Sequence, residues 1–197
     1  MKTNKSILLI FVIAFLNVNM HIFAQNSSFF NIGDKFFPYG YMGCTEKISV
    51  NPAYSIEPYS APMCFKIEFT SSCNNNNGWA GVYWTNEENN WGERQGTDFS
   101  NRGFTKITFW AKGNDGGETI EFGSGGIDKT SDSQTFQYKD SYKKYWITEK
   151  LTNQWKLYSI NLSGVDLSSV IGGFYWAAKW QANPNGVIFY LDNIQFE

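Results

Sequence analysis

Cleaving a glycosidic bond takes two carboxyl groups about 5 to 10 Å apart across the scissile bond. Glu118 and Glu121 come nearest to such a pair in this sequence, but their odd spacing sends them to opposite faces of a strand. Glu87 and Glu88 are adjacent in a loop, and no Glu-x-Asp-x-x-Glu pattern occurs. The single histidine, His21, lies in an N-terminal apolar segment, so no His/Tyr lyase site can form in the rest of the chain. Cys44, Cys64 and Cys73 show neither C-x-x-C nor Cys/His spacing, which removes zinc. No residue is assigned a catalytic role.

The chemistry the residues do offer is stacking. Gly78 to Gly92 holds Trp79, Tyr83, Trp84 and Trp91, first on a strand pattern and then among Asn, Glu and Gly. A pyranose ring has apolar C–H patches on its faces and hydroxyls around its rim. It stacks on an aromatic plane while amides and carboxylates hold the hydroxyls. Trp on a strand serves equally well as core.

Strand periodicity separates the two roles. Ala80, Val82 and Trp84 share one face, and Trp79 and Tyr83 point the other way. Ile107, Phe109 and Ala111 read as core, leaving Trp110 and Lys112 outward; Phe174, Trp176 and Ala178 read as core, leaving Tyr175 and Lys179 outward. Glu121 falls opposite Ile120 and Phe122. An outward Trp110 flanked by Lys and Thr is the most informative, because a Trp on a polar face has no folding reason to be there. Trp110, Tyr83, Tyr175 and Trp79 are therefore expected to form a glycan platform beside Lys112, Lys179 and Glu121. The competing expectation is that the polar stretch Asp128 to Lys144 covers this face and buries Trp110. Trp91, in its Asn/Glu-rich loop, is placed to close one end of a cleft with Asn90, Glu88 and Arg94.

The elements that must position these residues are strands. Cys64–Thr70, Trp79–Trp84, Thr105–Lys112, Glu118–Phe122, Tyr145–Thr148, Lys156–Leu162, Gly173–Ala178 and Val187–Phe196 are short and punctuated by Gly/Asn/Asp/Pro turns. Asn31 to Pro62 reads as long loops and short strands, with little periodicity beyond Lys47 to Val50. No segment outside the N-terminus shows helical periodicity. The expected fold is all-β, an antiparallel β-sandwich of jelly-roll type.

Lys2 and Lys5 precede an apolar run from Ile7 to Leu16, too short for a membrane span, and Ala24 follows at the distance of a cleavage site. Residues 1–24 read as a secretory signal and residues 25–197 as a single domain, exported to the periplasm, the cell surface or the medium. A formal charge of −2 and the absence of a Lys/Arg cluster argue against nucleic acid or an anionic membrane as partner and for a neutral one. Aromatic content of 18% against 17% charged fits a β-rich exported protein. In an oxidising compartment a disulfide is permitted. With Cys64–Thr70 as a strand, the reach from Cys64 to Cys73, up to roughly 30 Å, argues against that pair. Cys44 with Cys64, Cys44 with Cys73, and no bridge at all remain.

The blocks Trp79-Ala-Gly-Val-Tyr-Trp84 with Asn89-Asn-Trp-Gly92, Ile107-Thr-Phe-Trp-Ala-Lys-Gly113 with Gly116-Gly-Glu118, Gln154-Trp-Lys-Leu-Tyr-Ser-Ile-Asn-Leu-Ser163, and Phe189-Tyr-Leu-Asp-Asn-Ile194 resemble the galactose-binding-like β-sandwich domains that include many carbohydrate-binding modules. The resemblance runs from about residue 60 to the C-terminus. It implies a non-catalytic domain that binds a polysaccharide or oligosaccharide, in some cases beside a glycan-degrading enzyme. Many such domains hold a structural calcium near the last strand, which makes Asp192 the first candidate ligand and Glu68 a second. Two other classes stay open on the residues alone: a jelly-roll glycosidase or lyase, and a surface protein that turns the same aromatics toward another protein.

Overall fold

The computed structural model describes residues 29–70, 78–128, 130–131 and 134–197. The expected signal with its cut after Ala24, the Asn run 74–77 and Cys73 lie outside the described residues. The strands are β1 (Phe30–Asn31), β2 (Phe37–Gly43), β3 (Ile48–Tyr54), β4 (Cys64–Phe69), β5 (Trp79–Thr85), β6 (Lys106–Gly113), β7 (Thr119–Ser124), the short β8 (Thr130–Ser131) and β9 (Gln134–Thr135), β10 (Tyr145–Lys150), β11 (Lys156–Asn161), β12 (Gly172–Lys179) and β13 (Val187–Phe196). Apart from β8 and β9, which pair with each other, they form two antiparallel sheets. One runs β11-β6-β13-β4-β3, with β1 added beside the end of β13; the other runs β10-β7-β12-β5-β2. From β4 to β7, and again from β11 to β13, the chain changes sheet at every strand. This is the alternation of a jelly-roll sandwich.

Period-2 patterning decides which residues meet between the sheets. Ile67, Phe69, Ile107, Phe109, Ala111, Phe189 and Leu191 from one sheet are buried against Ala80, Val82, Trp84, Ile120, Phe122, Phe174, Trp176 and Ala178 from the other. Their rings meet at angles: Phe109 lies 4.8 Å from Phe122 and 5.1 Å from Phe174, and Trp176 meets Phe189 edge-on at 5.3 Å. Tilted and edge-on contacts set the positive ring edge against the negative face. Truncating one of these rings costs about 3–5 kcal/mol. All eight strands expected from the sequence are present, with ends within two residues of expectation.

Two edge strands escape the pattern for a physical reason. β2 carries Pro38, Gly40 and a register shift between Phe37 and Gly40; β3 carries Pro52 and a shift between Asn51 and Tyr54. Proline has no N–H to give to a neighbour, so such stretches are tolerated at sheet edges and read as loops in a sequence. Cys44 is disulfide-bonded and buried, whereas Cys64 is a buried free thiol, pushed up to about 11 mainly by burial. The bridge therefore spares Cys64.

Candidate functional site

Strand register lines up the outer face of the five-stranded sheet in rows that cross the strands. One row runs Thr148, Glu121, Ala177, Gly81, Met42 from β10 to β2. Its middle holds only small residues, Gly81 with no side chain and Ala177 with a methyl. A Cβ at Gly81 would sit 2.6 Å from the Trp176 carbonyl oxygen and 3.1 Å from Met42 Cε, so the Met42 side chain reaches over the buried Gly81 and the low part of the row is at Ala177. On one flank lies the row Trp146, Gly123, Tyr175, Tyr83, Gly40; on the other, Lys150 pairs with Thr119 and Lys179 with Trp79. The result is a trough across the sheet. Four inter-strand gaps give it a length of about 19 Å, and four residues of rise separate its flanks by about 13 Å.

The Tyr flank is a rigid wall. Tyr175 lies over β7, where a Cβ at Gly123 would come within 2.3 Å of its ring, and its hydroxyl donates to Glu121 Oε1 at 2.8 Å. Tyr83 tilts against Tyr175 at 4.8 Å and donates to the Gly125 carbonyl at 2.8 Å. Burial, and for Tyr175 the Glu121 carboxylate as well, holds both phenols well above their ordinary range. Ile127, Ile171, Trp91 and Tyr138 pack on this pair. Tyr175 is therefore only 2% exposed and Tyr83 6%. They shape the trough but give no free ring face.

The covering segment is the polar excursion after β7, and Asp140 fixes it. Asp140 Oδ1 accepts the N–H groups of Ile171 and Gly172, and Oδ2 that of Ile127. Burial outweighs these donors and pushes its carboxyl up to about 7. Instead of covering Trp110, this excursion lies on the opposite sheet.

Glu121 and its neighbours form the polar centre. Lys144 Nζ is 3.0 Å from Glu121 Oε1 and stands 5.0 Å from the ring centroid of Trp146 and 5.3 Å from that of Tyr175. Trp146 is 55% exposed at the open end of the trough, and Trp79 is half-buried on the flank. Trp146, Thr148 and Lys144 were not among the expected site residues. The alternation of Tyr145 and Ile147 with Trp146 and Thr148 carried the signal, since the first two pack on the core.

The expected platform divides between the two sheets. Trp79, Tyr83, Glu121, Tyr175 and Lys179 share the trough, whereas Trp110 and Lys112 lie on β6 in the other sheet. There Tyr59 stacks on Trp110, with centroids 3.7 Å apart. The parity that put all of them outward was correct on each strand, but parity does not tell which sheet a strand joins. Trp91 packs edge-on against Tyr83 at 5.9 Å, closing the end of the wall. Its loop is knit from within. The Asn90 amide donates to Asn86 Oδ1 and the Arg94 carbonyl, its Oδ1 accepts from Gly92 and Arg94 N–H, and Arg94 pairs with Glu87 and reaches the Glu88 carbonyl. Asn90 and Arg94 thus build the loop.

Asp192 sits on β13 beside Trp110. Its Oδ2 accepts the Ser60 N–H and its Oδ1 the Asn193 N–H, each at 2.8 Å, and burial raises its carboxyl above the ordinary range. Calcium takes six to eight oxygens, whereas the groups turned toward Asp192 are N–H donors. Among the described residues no three His, Cys, Asp or Glu side chains gather into a metal-sized group. Glu68 is opposite Ile188, four residues along the strand from Asp192, or about 13 Å. It pairs with Lys66 at 2.5 Å.

No family model matches the sequence, and comparison with curated proteins finds no match. Solved structures do match. A family 30 carbohydrate-binding module superimposes with a TM-score of 0.50 at 14% identity, over 80% of this chain and 86% of that one. The family 30 module of a cellulosomal cellulase of Clostridium thermocellum does so with a TM-score of 0.51 at 16% identity, over 80% and 85%. The fold is a carbohydrate-binding-module β-sandwich. At these identities the likeness is one of architecture.

Proposed function

We propose that this protein is a secreted, non-catalytic carbohydrate-binding domain that holds a neutral polysaccharide in the trough of the five-stranded sheet. The observation that carries the reading is the trough itself. It is long enough for several sugar rings and its floor is low at Ala177. An exposed Trp146 and a half-buried Trp79 supply apolar surface, and Glu121, Thr148 and Lys144 supply hydrogen bonds. Binding without cleavage is favoured because Glu121 is the one carboxylate in the rows that form the trough, and hydrolysis takes two. The architectural neighbours are carbohydrate-binding modules, one of them from a cellulosomal cellulase, which supports the reading and makes a glycan-degrading enzyme the natural companion.

The test is a glycan array on residues 25–197, followed by calorimetry on each hit with Trp146→Ala. Removing an exposed stacking ring should weaken binding by about 1–3 kcal/mol, as it does on other aromatic platforms, with the melting temperature unchanged. Undiminished binding by Trp146→Ala would move the site out of the trough, and release of reducing ends would make the protein an enzyme. Export belongs to the same proposal: intact mass of protein recovered outside the cytoplasm should place the first residue at Gln25.

One observation favours a protein partner instead. Phe37, Tyr39 and Tyr41 are all exposed along β2, the edge of the same sheet. With Pro38 and the register shift interrupting its backbone edge, β2 would meet a partner through these rings, and a dimer or captured protein lost on Tyr39→Lys would support that role.

A further inference from the structure

The outer face of the six-stranded sheet holds a separate pocket of about 310 Å³ where β3 and β6 end beside β13, lined by Tyr54, Glu57, Lys112, Asn153 and Tyr190. Lys112 lies at its centre. The ammonium is 5.1 Å from the ring centroid of Tyr190 and 5.3 Å from that of Trp155, and the side chain is only 13% exposed. A cation taken this far from water needs an anion. The chain supplies Glu57, whose carboxylate approaches to 3.6 Å, at the long end of an ion pair, and whose side chain is 84% exposed. With its carboxylate in water and the contact this long, Glu57 holds the ammonium only weakly. By contrast, the neighbouring Lys66 is paired closely, with Glu68 at 2.5 Å.

The backbone holds Glu57 there independently of its carboxylate. Trp155 Nε1–H donates to the Glu57 carbonyl at 3.1 Å. The side chain can therefore swing away without unfastening the loop. Tyr54, whose ring tilts on Tyr190 at 5.3 Å, and the exposed Asn153 line the same pocket. Tyr190, only 6% exposed, backs the ammonium, which leaves the partly exposed rings of Tyr54 and Trp155 for the C–H patches of a sugar, Asn153 for its hydroxyls and a cation for a carboxylate.

We infer that this pocket is a second carbohydrate site, specific for a sugar unit bearing a carboxylate, and that Glu57 occupies the place of the ligand's carboxylate until the ligand displaces it. The inference is independent of the trough, which lies on the other sheet and is read as taking neutral glycan.

Methyl β-glucuronide and methyl β-glucoside differ at this site only in the carboxylate, so a heteronuclear NMR titration with each, and with acetate, separates the contributions. The glucuronide should shift the Trp155 indole and the backbone amides of Lys112 and Tyr190, and the glucoside should bind at least about tenfold more weakly. Glu57→Gln, which removes the competing carboxylate from an exposed position, should tighten the glucuronide several-fold. Lys112→Met should lose it while leaving ligands of the trough unchanged. Equal binding of glucuronide and glucoside, no gain with Glu57→Gln, or acetate binding as tightly as the glucuronide would each overturn the assignment. Should Lys112→Met fail to fold, the Glu57→Gln comparison decides alone.

Discussion

Tyr59 lies flat on Trp110, with ring centroids 3.7 Å apart and planes within 13° of parallel. The stack fastens the loop between β3 and β4 onto the outer face of the six-stranded sheet, and Trp155 meets Tyr59 edge-on at 6.2 Å. Trp110 is thus a clamp for a loop of its own chain. Trp110→Ala and Tyr59→Ala should each lower stability, since an aromatic pair contributes about 0.5–1.5 kcal/mol beyond the area it buries. Neither should change binding in the trough. Urea unfolding with parallel calorimetry checks both. A Trp110→Ala variant with unaltered stability and lost neutral-glycan binding would return Trp110 to the role its sequence context suggests.

That misplacement marks how far the residues could be read. The alternation along Ile107-Thr-Phe-Trp-Ala-Lys112 identified the buried face of β6 correctly, as did the patterns of β5 and β12. Period 2 is a property of one strand, and each strand wrote its own inside and outside legibly. Which strands share a sheet is settled by pairing between segments far apart in sequence, such as Tyr175 with Tyr83 and Asp192 with Trp110. No local pattern encodes that. For the same reason Tyr175 and Tyr83 were legible as outward but not as covered. The segment that covers them is held by Asp140, whose partners Ile171 and Gly172 lie some thirty residues on. Trp146 was legible in principle, because its neighbours Tyr145 and Ile147 alternate with it.

Asp140 should give stability an unusual dependence on pH. Its folded-state carboxyl, at about 7, lies above the value of about 4 in an unfolded chain. The native state therefore binds this proton more tightly. Asp140 contributes stability that is fully present below about pH 4 and is lost as pH rises through 7, by at most about 4 kcal/mol. Asp140→Asn removes the titration but turns an amide N–H toward backbone donors, so it should be destabilising throughout. The advantage of wild type over the variant should shrink between pH 5 and pH 8. An advantage that grows over this range would mean that the three N–H bonds hold Asp140 as a carboxylate against its burial.

Asp192 provides a direct test of the calcium expectation. Its carboxylate holds Ser60 across the face of the sheet, and Asp192→Ala strands that N–H and frees the loop that carries Tyr59. The expected loss is about 1–3 kcal/mol, the same with and without a chelator. Thermal melts of wild type and variant, each with and without EDTA, separate the two roles. A bound ion stabilises the folded state by mass action, so a wild-type melt that falls with EDTA while that of Asp192→Ala does not would place a metal at this carboxylate.

The trough makes its strongest prediction at Ala177. This methyl lies in the middle of the floor, between Gly81 and Glu121, and its neighbours on β12 are Tyr175 and Lys179 on the flanks. A chain of sugars crossing about 19 Å of sheet must pass over it. Affinity should therefore rise with oligosaccharide length until the trough is filled and then level off, because each further ring beyond the walls meets only solvent. Ala177→Phe raises a ring from the floor and should reduce binding of long oligosaccharides by at least about tenfold, or about 1.4 kcal/mol. A short ligand seated at Trp146 alone should be affected far less. Circular dichroism and the melting temperature verify that β12 still pairs with β5 and β7. If Ala177→Phe folds normally and binds the long ligand as wild type does, the glycan does not cross the sheet, and the edge beside Trp146 alone would hold it.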